Sequence, residues 1–154
     1  ATFGGLGGMG PELCILTLAV TLGVVVQAAL TQTEILAWLQ GLRLGPLAVI
    51  AVMIGGMTSA GLIAIHPMVT GTVLLVLFTS IPTGVADVVL MEAMLFGWAL
   101  GTLISLSSVT IATGSAIFSF PPERLITKGN IMFSVVFGTL SVFILAWLNT
   151  YLTG

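Results

Sequence analysis

Residues 46–78 read PLAVIAVMIGGMTSAGLIAIHPMVTGTVLLVLF, a stretch whose one ionisable side chain is His66. Two apolar arms, 46–57 and 62–78, flank a tip of small and hydroxyl-bearing residues, Gly55-Gly56-Met57-Thr58-Ser59-Ala60-Gly61. A loop that joins two membrane spans through water normally carries charge or strong turn polarity, and this tip carries neither. The stretch therefore reads as a re-entrant hairpin, 46–79, whose tip lies at membrane depth. Irregular backbone is tolerated there only where protein or a water-filled cavity surrounds it. One long, glycine-kinked helix over the same residues is the competing reading.

The rest of the chain has the same character. Of 154 residues 58% are hydrophobic and 5% charged, with three Lys or Arg against five Asp or Glu; the mean hydropathy is +1.26. A soluble domain carries about 25% charged residues, so a water-soluble enzyme is excluded. A net charge of −2 offers no stripe to neutralise phosphates, which excludes a nucleic-acid binder. The single cysteine, Cys14, excludes a disulfide scaffold. Long unbroken apolar runs replace the alternation of a membrane barrel, leaving helices as the spanning structure. The expected fold is all-α and integral to the membrane, with a first span at 12–31 and a last span at 126–152.

Between the hairpin and the last span, residues 88–120 would extend about 50 Å as one helix, against a hydrocarbon core about 30 Å thick. The cluster Ser105-Leu106-Ser107-Ser108-Val109-Thr110 is the natural place for a break, and Pro121-Pro122 ends the element. A tilted helix with its hydroxyls bonded to carbonyls one turn earlier is the alternative. Upstream of the hairpin, residues 33–44 predict a short amphipathic helix in the interface, with Leu36, Leu39 and Leu42 on one face and Trp38 at headgroup level. Trp147 and Tyr151 form a matching belt on the last span.

Few residues carry potential chemistry. Gly5-Leu6-Gly7-Gly8-Met9-Gly10 fits a dinucleotide-binding spacing but follows no strand and is followed by Pro11, so it reads as a flexible loop. His66, before Pro67 in the outgoing arm, reads either as a proton relay or as a neutral imidazole bonded to a carbonyl that Pro67 leaves unpaired. Asp87 complements a helix start, and Glu92, one turn inside, could face a cavity and share in a relay. Gly97, Gly101 and Ser105, and likewise Ser134, Gly138 and Ser141, form small faces suited to close helix packing. The best candidates are the two hydroxyl clusters: Thr58, Ser59 and Gly61 at the tip, and Ser107, Ser108 and Thr110 at the break. Secondary transporters bind substrate and ions with such interrupted helices, whose N-terminal dipole ends face anions while freed carbonyls hold cations.

This order of elements resembles the C-terminal repeat of the ion transporter superfamily, whose best-known members are the divalent anion/sodium symporters. Gly55 to Gly61 takes the place of that family's Ser-Asn-Thr tip, Ser105 to Thr110 that of its second unwound loop, and Pro122 to Gly129 that of the link before the last helix. The likeness covers about Thr31 to Leu152. It implies one half of an inverted-repeat transporter in a prokaryotic inner membrane, multi-pass, completed by a second repeat, another subunit or a further copy. The tip has no Asn, so Na⁺ and H⁺ both stand as coupling ions and no other cofactor is implied. The expected function is secondary transport of a small anionic solute; the alternative is a structural subunit that transports nothing. An enzyme is not expected, because Cys14 and His66 have no catalytic partners at useful positions. Arg124 and Lys128, set against Arg43, place the link before the last span on the cytoplasmic side.

Overall fold

A computed structural model describes residues 10–30, 34–63, 65–105 and 108–154. Its described elements are helical, with no strand among the described residues: α1 (Gly10–Leu30), α2 (Glu34–Gly41), α3 (Pro46–Leu62), α4 (Pro67–Thr79), α5 (Asp87–Ile104), α6 (Val109–Phe118), a 3₁₀ turn (Pro122–Arg124) and α7 (Lys128–Thr153). Among the described residues, α5 and α7 are each long and apolar enough to cross a membrane. The glycine-rich motif at 5–10 lies outside the described residues except for Gly10, where α1 begins.

The core follows the line where α3 packs along α5. Val49, Ile50, Met53 and Ile54 of α3 meet Val89, Leu90, Ala93 and Leu100 of α5, and Phe78 of α4 and Leu145 of α7 close the cluster. Small residues let the two backbones approach. A Cβ at Gly97 would meet the Met57 Cβ at 2.6 Å, and one at Gly61 would meet the Gly101 carbonyl oxygen at 2.8 Å and its Cα at 3.0 Å. Gly138 admits α7 to the same seam, beside Leu100 and Ile54. The small faces at Gly97/Gly101 and Ser134/Gly138/Ser141 are thus buried packing faces.

These contacts correct the expected position of the hairpin tip. The chain does not turn at Gly55–Gly61: α3 stays helical through Leu62, and the reversal falls between the end of α3 at Leu62 and the start of α4 at Pro67. Thr58 remains helical because its hydroxyl donates to the Ile54 carbonyl one turn back, at 2.8 Å. Gly61 serves the approach to α5 and not a bend. What sets the reversal is Pro67, since the residue before a proline is pushed out of the helical region. His66 accordingly has φ −63° and ψ 129°, and Pro67 opens α4, a position that suits its missing N–H.

Two further joints define the bundle. At one end, the Asn149 side chain of α7 is 2% exposed. It accepts from the Ala86 N–H at 2.9 Å and donates to the Gly84 carbonyl at 3.0 Å. Gly84, at φ +68°, supplies the left-handed turn that aims both groups at the amide. At the other end, Thr127 caps α7 by accepting from the Asn130 N–H at 3.2 Å, while the Asn130 amide donates to the Leu125 carbonyl. α2 is shorter than the expected interfacial helix and exposes Trp38.

Candidate functional site

Gly61 abuts Gly101 and each lies within one turn of the end of its helix, so α3 and α5 terminate in one layer. α4 and α6 start from the chain that leaves that layer. Two C-terminal ends thus share a layer with their negative dipole charge, and each is followed within five residues by the N-terminus of the next helix, which carries positive dipole charge. Both N-termini are capped by side chains. The Ser108 hydroxyl accepts from the Ile111 N–H at 3.2 Å, and the His66 Nδ1 accepts from the Met68 N–H at 3.2 Å.

The helix break spans Ser105 to Ser108, both of them buried. The Ser108 N–H donates to the Ser105 carbonyl at 3.1 Å, closing a tight turn between α5 and α6. Ser107 lies outside the described residues. Of Thr110, only its place in the first turn of α6 is described. α6 ends at Ser119, which is left-handed at φ 53°, just ahead of Pro121-Pro122.

Thr58 and Ser59 are not gathered into a pocket with Ser108. They line a cleft of about 520 Å³ between α3 and α7, together with Gly55, Ile104 and Ser134. His66 is not embedded in the outgoing arm. It sits exposed at the reversal, and its ring accepts from an amide rather than donating to a carbonyl. Glu92 is exposed on α5 and not turned into a cavity. A Cβ at Gly71 would meet Met94 at 3.1 Å, which registers α4 against α5.

Two polar groups escaped the functional reading of the sequence. Asn149, a lone amide in an apolar span, is itself a signal, since buried amides demand partners. Ser134 was grouped with the small residues, yet its hydroxyl is buried without a hydrogen-bond partner. No protein-family model, curated protein or solved structure matches the chain.

Proposed function

We propose that this chain is a membrane-embedded module of a secondary active transporter for a small anionic solute, coupled to Na⁺ or H⁺. The observation that supports it best is that α3 and α5 end together at Gly61–Gly101, each followed within five residues by the start of another helix. The N-terminal ends of α4 and α6 suit an anion, and the C-terminal ends of α3 and α5 suit a cation. α3 and α4 then form a re-entrant hairpin: 17 residues reach about 25 Å, short of a hydrocarbon core of about 30 Å. Membrane insertion is supported by the outer face of α7, where Met132, Val135, Leu140, Phe143 and Ile144 are all more than half exposed. Such a face is untenable in water unless a partner covers it. A second repeat, another subunit or a further copy completes the enclosure of the solute.

The test is thermal stability of the purified protein, with any chains that accompany it, across sulfate, phosphate and small mono- and dicarboxylates, each with and without Na⁺. A rise for particular anions is expected, and its Na⁺ dependence names the coupling ion. In uptake assays, replacing both Ser108 and Thr110 with leucine is expected to abolish transport while the protein stays folded; unchanged uptake removes the break from the site.

One observation favours a non-transporting structural subunit instead. The hydroxyls of Thr58, Thr72, Thr139 and Ser141 each donate to a carbonyl of their own helix, as they would in a static bundle. Stable co-purification with partners and no anion response is the outcome that selects this reading.

A further inference from the structure

The start of α4 rests on one titratable side chain. The first four residues of that helix meet their hydrogen-bond needs differently. Pro67 has no N–H. The Val69 and Thr70 N–H groups donate to the His66 carbonyl at 3.0 and 3.4 Å. The Met68 N–H donates to the His66 Nδ1 at 3.2 Å, so the helix takes its side-chain cap from the imidazole. An Nδ1 that accepts is unprotonated, which puts the proton of the neutral ring on Nε2. The residue is exposed, so the ring meets the protons of the surrounding water.

We propose that His66 is a pH-sensitive cap, which holds the start of α4 while neutral and releases it when protonated. The imidazolium carries an N–H on both nitrogens, so Nδ1 then meets the Met68 N–H as a second donor. Its charge also sits at the positive end of the α4 dipole. Both effects act in one direction: the cap is present at high pH and is lost as the pH falls through about 8 to 5, where histidine changes charge. The helices packed on α4 are α1, α3 and α5. α3 carries no ionisable side chain, α5 carries Asp87 and Glu92, and α1 carries Glu12 and Cys14. Asp87 and Glu92 stand in the first two turns of α5, whereas Gly61, five residues ahead of His66, packs on Gly101 near the end of that helix. Glu12 and Cys14 belong to the half of α1 nearer His66, because Gly23 packs on Thr72 while Ala19 lines a cavity with Pro67 and Met68. Both therefore enter the test as controls. The proposal needs only the cap; it stands or falls independently of anion transport.

Thermal unfolding from pH 8 to pH 5, in one fixed detergent and a Cys14→Ser background, tests it. His66→Asn keeps a capping oxygen that does not titrate, and His66→Ala removes the cap at every pH. At pH 8 the chain with His66 is expected to match His66→Asn. At pH 5 its Tm is expected to lie about 3 °C lower, at or below that of His66→Ala. Glu12→Gln is expected to leave this fall in place. In nitrogen-15 spectra of the chain with His66, the Met68 amide is expected to shift with the same midpoint as the His66 ring, a local signature that a general acid effect would not give. Curves for His66 and His66→Asn that run parallel over the whole range overturn the proposal. So does a fall that Glu12→Gln abolishes, or a Met68 amide that stays still while the ring titrates.

Discussion

Gly55 and Gly61 lie six residues apart on one helix and bear opposite relations to their surroundings. A Cβ at Gly61 would sit 2.8 Å from a backbone oxygen of α5, while one at Gly55 would touch nothing. Backbone cannot swing aside as a side-chain tip can, so Gly61→Ala must separate α3 from α5. Its expected cost is about 1–3 kcal/mol, the usual range for overpacking. Gly55→Ala is expected to be neutral or to stabilise by up to about 1 kcal/mol, through the better helix propensity of alanine. Chemical unfolding of the two variants in detergent checks the pair, and equal effects would sink the assignment of Gly61 to the helix seam. Asn149 is the polar counterpart. Its amide serves both the Ala86 N–H and the Gly84 carbonyl, so Asn149→Ala leaves two backbone groups short of partners. A loss of about 2 kcal/mol is expected from part-buried groups left unsatisfied, with faster amide exchange confined to residues 83–86 as the local signature.

At the scale of elements, the two interruptions of the apolar pattern had different causes, and only one was legible as such. The break after Ile104 could be read from residue type, because serine both disfavours helix interiors and caps the next helix. The hairpin reversal was read from the same residue types at Gly55–Gly61 and lies instead between Leu62 and Pro67. Glycine and hydroxyl residues in a membrane helix serve close packing as readily as turns, and sequence does not say which neighbour will arrive. The deciding signal was His66-Pro67, a backbone constraint that holds whatever packs nearby. The common level at which α3 and α5 end was likewise invisible, since it depends on the Gly61–Gly101 contact between residues 40 positions apart. Capping at the break is open to direct test. Ser108→Ala removes the acceptor for the Ile111 N–H and is expected to cost about 1 kcal/mol, whereas Ser108→Asn keeps a capping oxygen and most of the stability. If alanine and asparagine behave alike in unfolding experiments, the Ser108 hydroxyl does not hold the start of α6.

At the scale of the whole molecule, charge collects at the two ends of the bundle, and that distribution fixes an expected orientation. α3 and α7 run antiparallel, because Asn149 near the end of α7 bonds Gly84 and Ala86 and a Cβ at Gly84 would meet Pro46 at the start of α3. Arg43 precedes α3 and Lys128 begins α7, so these bases lie at opposite ends, with Arg124 on the Lys128 side. In a membrane, two bases against one are expected to put that end in the cytoplasm under the positive-inside rule. The 26 residues of α7 extend about 39 Å, enough to cross with tilt. Trp147 and Tyr151, in edge contact at 4.9 Å between ring centroids, are then expected to anchor its far end in the opposite interface. Single cysteines in a Cys14→Ser background test the arrangement. Glu123→Cys marks the basic end without removing a base, and Thr153→Cys marks the other. With a membrane-impermeant maleimide, Thr153→Cys is expected to label in intact cells and Glu123→Cys only after permeabilisation. The reverse pattern would mean that factors beyond these three bases set the topology. Labelling of both positions in intact cells would mean that α7 does not cross, and the re-entrant hairpin would lose the frame against which its depth is defined.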